Sequence, residues 1–405
     1  METKMGPLAG VKVVELGSWI AVPGCAAVLG DWGAEVIKIE NINCKDSFKS
    51  LRYIRNIDFT EINTWYIMVN RNKKSIAVDI KTAQGIKIIF KLLENSDVFI
   101  TNFTQDKLES MGLDYLSMKN LNPKLIYTHF TAYGSQGPER RKPGYDIMAF
   151  WTRGGFMNKL TSPGSAPPSQ PQGLGDSTGA ALLAGAVSTA LFSRERTGNG
   201  QKVEMSLYQN ATWCLSGEIM ALLTSGQEVE PVQQYAVENP LWNVYQSKDD
   251  CWLHLACLNS NNFWYPLCEA IRREDLKKDS RFKSAEMRSK NNSALIAILK
   301  EAFSKKDITE WCNILDRYNI MFEIARSVID VVRDPQSEAN NFFGEVIDKS
   351  GQKVRVVNSP FKFSETPASI RTSYPECGEH SEDILLELGF SAEEIPKFRG
   401  DKIIL

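Results

Sequence analysis

Apolar and polar positions fall into blocks along the first 130 residues. Val11-Lys12-Val13-Val14-Glu15-Leu16 is a short apolar run that predicts a buried strand, the stretch from Pro23 to Trp32 predicts a helix, and Ala34-Glu35-Val36-Ile37-Lys38-Ile39-Glu40 predicts the next strand. A strand, a helix and a strand in that order open a parallel sheet. The pattern then recurs: Ile86, Ile88, Ile89, Leu92 and Leu93 mark one helix face before strand Val98-Phe99-Ile100, and a short helix from Tyr115 to Leu121 precedes strand Leu125 to Phe130. The prediction is a doubly wound, Rossmann-like α/β domain whose ligands lie outside the carboxyl ends of its strands.

From Met157 to Gln172 the chain is rich in Pro, Ser and Gly and reads as a surface loop. It leads into Gly173-Leu174-Gly175-Asp176-Ser177-Thr178-Gly179, a small-residue helix from Ala180 to Ser193, the turn Thr197 to Gly200, strand Lys202 to Ser206 and a helix reaching about Leu223. The pattern breaks between Gln227 and Asn239. A hairpin follows, Trp242 to Tyr245 and Trp252 to Cys257 turned by Lys248-Asp249-Asp250, and then helices near Phe263 to Ile271, Ser293 to Phe303 and Ile308 to Leu315. From about Ala325 come a helix, strands Gly344 to Lys349 and Lys353 to Asn358, and a charged last helix from Ser381. The expected division is therefore 1–224 for the large domain, 225–325 for a small α+β domain inserted in it, and 326–405 for the return to the large domain. No period repeats, so a solenoid is excluded.

Composition narrows the function. Lys and Arg number 47 against 49 Asp and Glu, a net charge of -2 with no surplus for a phosphate backbone, so nucleic acid is not an expected partner. No apolar run approaches the ~20 residues that span a bilayer, so no membrane is expected and a cytoplasmic protein is. The eight cysteines, with no C-x-x-C pair, read as reduced and mostly buried thiols. Three histidines far apart, His129, His254 and His380, cannot build a local zinc site, so no metal is expected.

The loop after the first strand, Gly17-Ser18-Trp19-Ile20-Ala21-Val22-Pro23-Gly24, is not G-x-G-x-x-G, and Trp19 and Ile20 would crowd a pyrophosphate, which disfavours a dinucleotide. A G-x-x-x-x-G-K-[ST] loop and a G-x-S-x-G elbow are both absent from the sequence. The most informative stretch is the one around Asp176. As the N-cap of the following helix its carboxylate would be held ionised, and with glycines on either side a substrate could approach it. It is then either a nucleophile for acyl transfer, with backbone N–H groups nearby for an oxyanion, or simply a helix cap.

That stretch, together with Gly10 to Leu16, Asp31 to Glu40, Asn70 to Ile76 and Gly378-Glu379-His380-Ser381, resembles the family III CoA-transferases, the group containing formyl-CoA transferase, carnitine CoA-transferase and bile-acid CoA-transferases. The resemblance runs from the first strand to the last helix. It implies that Asp176 is the catalytic nucleophile, attacking an acyl-CoA thioester to give a mixed anhydride and then an aspartyl-CoA thioester from which a second carboxylate collects the CoA. It also implies coenzyme A thioesters as substrates without a permanently bound cofactor, acyl-CoA and a small carboxylate as partners, and an interlocked homodimer. For CoA, Ala21 matches a backbone site near the adenine, Lys73 or Lys74 the basic residues near the phosphates, and Asn102, Phe103 and Met111 the strip along the nucleotide and pantetheine. Asn41 and Ser110 stand where formyl-CoA transferase has arginines, so Arg71, Lys107 or Lys142 are the substitutes to consider.

Gly144-Tyr145-Asp146 bears on the nearest rival, the α-methylacyl-CoA racemases, which resemble this chain but carry a histidine at the Tyr145 position as a second base. A phenol is a poor base at neutral pH, so Tyr145 reads as lining the acyl pocket, with Ile20, Gly173 and Gly175. Ile20 in place of a polar residue disfavours oxalate. The aromatic region of Tyr145, Phe150, Trp151 and Phe156 looks most like the clostridial transferases of amino-acid fermentation, which implies a 2-hydroxy acid such as 2-hydroxyisocaproate or phenyllactate, with carnitine as the other acceptor to consider. A racemase-like isomerase and a catalytically silent CoA-binding protein are the competing classes.

Overall fold

The computed structural model describes residues 6–43, 46–51, 53–54, 57–58, 63–228 and 237–405. The chain divides into two compact units, one of Met1–Asn158, Pro168–Glu228 and Glu338–Leu405, the other of Lys159–Pro167 and Val229–Ser337.

The first unit is built on six parallel strands: β1 (Lys12–Leu16), β2 (Glu35–Glu40), β3 (Lys73–Ala77), β4 (Val98–Thr101), β5 (Ile126–Thr131) and β6 (Lys202–Ser206). Their spatial order is β3-β2-β1-β4-β5-β6, so the order reverses between β1 and β4. Sheets of this order bind ligands at the carboxyl ends of the strands beside that reversal. Period-two alternation sends Val13 into the core on one face and Val14 into the core on the other. Both faces are therefore covered, and adjacent apolar residues such as Val13-Val14 and Val36-Ile37 recur along the central strands.

On one face lie helix α1 (Ala21–Asp31) and the long helix α2 (Leu174–Thr197). Ala21, Cys25, Ala26, Ala180, Ala184 and Val187 are all buried in one core there, and such small side chains let the two helices approach closely. On the other face the amphipathic helix Ala83–Glu94 buries Ile88, Ile89, Leu92 and Leu93 together with Ile384, Leu385 and Phe398 from the chain's end. Each such side chain contributes roughly 1.5–3 kcal/mol relative to exposure. The Gly378 to Ser381 motif fastens that end to β3: Gly378 N–H donates to Ser75 Oγ (2.9 Å), His380 N–H to the Ser75 carbonyl (3.0 Å), and Ala77 N–H to Ser381 Oγ (3.2 Å).

The second unit has an antiparallel sheet in which the hairpin Trp242–Gln246 and Trp252–Ala256 gains a third strand, Phe322–Ile324. Helices Ser260–Ala270, Asn292–Phe303 and Ile308–Arg317 close its core around Leu253, Trp264, Phe303 and Trp311.

Two local expectations are corrected. The helix after the glycine-rich turn starts at Leu174 rather than Ala180, and the helix expected to run to about Leu223 is interrupted at Leu215 into Leu207–Cys214 and Ser216–Ser225. The thiols are also less uniform than expected. Cys25, Cys257 and Cys268 are free and buried, Cys214 is free but exposed, and Cys377 is disulfide-bonded, while Cys44 lies outside the described residues. No helix among the described residues is long and apolar enough to cross a membrane.

Candidate active site

The turn between β1 and α1 begins where the strand order reverses. Leu16 at the end of β1 pairs with Thr101 at the end of β4, and just beyond the strand ends Ser18 and Asn102 clamp one another. Asn102 Oδ1 accepts the Ser18 N–H (3.2 Å) and Asn102 Nδ2 donates to the Ser18 carbonyl (2.8 Å). The chain then passes through Trp19, whose φ of +66° lies in the left-handed region. For a bulky side chain that costs roughly 1–2 kcal/mol, and such strain persists where the surroundings fix it, commonly at functional sites.

Asp176 stands on the first turn of α2. It is not the cap: Gly173 occupies that position at φ +65°, where a Cβ would strain the backbone and lie 3.0 Å from Ile20 Cδ1 and 3.2 Å from Trp65. A glycine cap offers no side-chain acceptor, and Asp146 supplies one from 30 residues earlier. Its Oδ2 accepts the N–H of Gly175 (2.9 Å) and of Asp176 (3.2 Å), while its Oδ1 accepts Gln170 Nε2 (2.8 Å). Asn210 Nδ2 holds the same turn from its other side, donating to the Gly175 carbonyl (2.8 Å) and to Thr178 Oγ1 (3.0 Å). A Cβ on Gly175 would overlap Phe150 and sit 2.5 Å from Asp146 Oδ1.

This arrangement sets the electrostatics. Burial, and next the charge of Asp146, push the Asp176 carboxyl up to about 7. Asp146 is itself raised by burial, against the pull of its three hydrogen bonds. Asp176 as a residue keeps part of its surface open, while its carboxylate is largely enclosed by protein. A carboxylate that ionises near neutrality is more basic, and hence a stronger nucleophile, than an ordinary aspartate. The expectation of free backbone donors in this turn is corrected. The N–H groups of Gly175 and Asp176 are held by Asp146, and that of Ser177 donates to the Gly173 carbonyl (2.8 Å).

Aromatic residues adjoin the turn, Trp65 beside Gly173 and Tyr145 next to Asp146. The Tyr145 ring, 58% exposed, meets Trp19 edge-on at 5.4 Å between centroids, and Trp19 meets Phe48 at 5.9 Å. Thus Ile20, Tyr145, Gly173, Gly175 and Asp176, all singled out in the sequence, come together. Asp146, Trp19, Phe48, Trp65 and Asn210 join them without having been assigned a role. Gly144-Tyr145-Asp146 already contained the missing acid, and a capless glycine at 173 was the signal that one was needed.

The candidate CoA residues divide. Ala21 is the first residue of α1 and buried; Asn102 is the clamp just described. Phe103 is partly buried beside it and carries the Lys107 ammonium 3.7 Å over its ring, and Met111 caps the helix Gln105–Ser110. Lys107 makes no ion pair among the described residues.

Lys73 is corrected. Its side chain is fully buried, and its ammonium donates to Glu15 Oε2 (2.5 Å), the carbonyls of Val69 (2.7 Å) and Pro23 (2.9 Å), and Asn70 Oδ1 (3.2 Å). Its donors are engaged inside the chain, and burial, against the attraction of Glu15, pushes it down to about 8. Lys74, on the opposite face of β3, pairs with Glu35 (2.6 Å) and Glu387 (3.5 Å). Arg71 is likewise engaged, with Asp31 (2.7 and 3.1 Å) and the Val357 carbonyl (2.8 Å), and Lys142 pairs with Glu139 (3.0 Å).

The sequence model of CoA-transferase family III matches residues 8–381. The chain is 34% identical to (R)-2-hydroxy-4-methylpentanoate CoA-transferase of Clostridioides difficile, over 98% of this chain and 99% of that one. It is 32% identical to cinnamoyl-CoA:phenyllactate CoA-transferase of Clostridium sporogenes, over 100% and 99% of the two chains. Among solved structures, a CAIB/BAIF family protein from Brucella suis superposes with a TM-score of 0.83 at 29% identity, covering 95% of this chain and 100% of its own.

Proposed function

The chain belongs to CoA-transferase family III and is a CoA-transferase, and on that premise we propose that Asp176 carries the CoA between two carboxylic acids, the acceptor being a 2-hydroxy acid of the 2-hydroxyisocaproate or phenyllactate kind. The observation that carries the reading is a carboxyl pushed up to about 7 by burial and by Asp146, on a glycine-lined turn beside an aromatic wall. The names of the two clostridial relatives and the apolar character of that wall support the choice of acid.

In the first step an Asp176 oxygen attacks the thioester carbonyl, and the C–S bond breaks to release CoA thiolate and leave an acyl-aspartyl anhydride. The thiolate then attacks the aspartyl carbonyl of that anhydride, expelling the donor acid and leaving CoA on Asp176. The acceptor carboxylate attacks this thioester, thiolate leaves again, and its attack on the acceptor's carbonyl forms the product thioester and frees Asp176. One thioester replaces another, so the sequence is balanced with no other reactant.

For the nucleotide, the reading places Ala21, Asn102, Phe103 and Met111 along the CoA. Lys107 is the phosphate contact, since it stands over Phe103 with no acidic partner among the described residues, and Lys74 reaches the phosphates only by leaving Glu35 and Glu387. Lys73 is left out. The same reading has the enzyme as a cytoplasmic homodimer in which residues 225–325 form the small domain, without a permanently bound cofactor.

The test is covalent trapping. Acyl-CoA followed by hydroxylamine should convert Asp176 to a hydroxamate and inactivate the enzyme, whereas enzyme without acyl-CoA should survive. Asp176→Asn should lose turnover by several orders of magnitude while still binding CoA. A hydroxamate mapped to another residue, or none at all, removes Asp176 from the nucleophile's role.

A further inference from the structure

We infer that Trp19 is a specificity-determining residue: its indole is the wall against which the acyl group packs, and it selects acyl chains that end in a planar aromatic or a branched apolar group. The inference rests on the CoA-transferase reading of Asp176.

Three observations converge. Trp19 holds a backbone conformation, φ +66°, that glycine adopts freely and a large side chain does not, so the indole is kept there at a conformational cost. It is not a buried core residue, being only partly buried, and its ring neighbours are Tyr145, itself 58% exposed, and Phe48. Its position is fixed from both sides. Asn102 clamps both backbone groups of the preceding Ser18, and the following Ile20 lies against Gly173, three residues before the nucleophile.

Ile20 lies against Gly173, and Tyr145, which meets the Trp19 ring, precedes Asp146, the residue that holds the Asp176 N–H, so the three side chains form a mostly apolar surface joined to the turn of Asp176. A surface of this kind discriminates by the apolar area and shape it contacts. A CoA thioester seated with its carbonyl at Asp176 would lay the remainder of a bulky acyl group on these rings, and a two- or three-carbon acyl group would fall short of them.

Trp19→Gly tests this cleanly, because glycine relieves the left-handed backbone while deleting the ring. Binding is measured by calorimetry in an Asp176→Asn background, where no chemistry intervenes, with phenylpropionyl-CoA, 4-methylpentanoyl-CoA, propionyl-CoA and free CoA. The ratio of affinities for phenylpropionyl-CoA over propionyl-CoA should fall by about tenfold or more on adding Trp19→Gly, the scale on which apolar pockets discriminate. Affinity for free CoA should change far less than that ratio.

A uniform loss across all four ligands would mean that Trp19 only shapes the loop, and would overturn the inference. So would a gain for phenylpropionyl-CoA, which would make the indole an obstruction. Trp19→Phe should restore most of the ratio if ring contact is the cause. If the Asp176→Asn protein binds none of the CoA compounds, the CoA-transferase reading of the site fails and the inference with it. An unmoved ratio on a protein that does bind them defeats the inference alone.

Discussion

At the residue scale, the proposed chemistry depends on two carboxylates with different duties. Asp146 faces inward and holds the first turn of α2, and Asp176 projects from that turn. With its carboxyl pushed up to about 7, Asp176 is largely protonated and unreactive at pH 6 and ionised at pH 8. The rate of acylation, followed by hydroxylamine trapping after short mixing times, should therefore rise with pH through about 7 and level off above it. Asp146→Asn keeps an oxygen to accept the Gly175 and Asp176 N–H groups while removing the like charge, so the midpoint should move to lower pH. Burial, the larger cause, remains, so the move is partial, and acylation at pH 6 should increase about threefold. A profile in which the midpoint is unmoved and only the plateau falls would show that Asp146 acts through geometry alone.

At the scale of elements, β1 and β3 are tied through a buried ion pair. Glu15 near the end of β1 and Lys73 at the start of β3 are both fully buried, and the ammonium also holds carbonyls of α1 and of the helix Thr64–Asn70. Removing one partner strands a charge, so Lys73→Met should cost about 3–5 kcal/mol in urea unfolding. Adding Glu15→Gln should recover much of that loss, and the double variant should keep the wild-type KM for the acyl-CoA donor. A raised KM in a fully folded double variant would return Lys73 to the phosphate site.

The sequence could not show this arrangement. Alternation along β3 puts two adjacent lysines on opposite faces, and nothing local says which face meets Glu15. The strands themselves were legible, because a sheet covered on both faces needs apolar residues pointing both ways, as Val13 and Val14 and then Val36 and Ile37 supply, although charged residues interrupt both segments. The start of α2 was not, because its cap comes from Asp146 and leaves only a glycine at the position where a capping side chain is sought. Asp176 was legible as a candidate from the glycines around it; the strained backbone of Trp19 was not, since φ has no signature in a bulky residue.

At the scale of the whole molecule, the first unit leaves apolar surface open to solvent. Phe192 on α2, Trp213 on Leu207–Cys214, and Met220 and Leu223 on Ser216–Ser225 are 60–74% exposed. Large apolar side chains in one run of consecutive helices suit an interface better than open water, and a second copy of the chain is the occupant that the proposed homodimer supplies. Sedimentation should then give twice the 45.5 kDa chain mass, and Trp213→Glu with Leu223→Glu should weaken association or prevent folding to the active form. An interlocked dimer makes a sharper prediction than a side-by-side one. Chains that thread one another can part only by unfolding, so dilution to nanomolar concentration should leave the dimer intact, and two differently tagged preparations mixed under native conditions should form no hybrid over hours. Unfolding and refolding the mixture should give hybrids in about the statistical proportion, half of all dimers when the two are equal. Hybrids that form within minutes without denaturant would mean an ordinary surface contact, and an active monomer at nanomolar concentration would mean that each chain completes its own site.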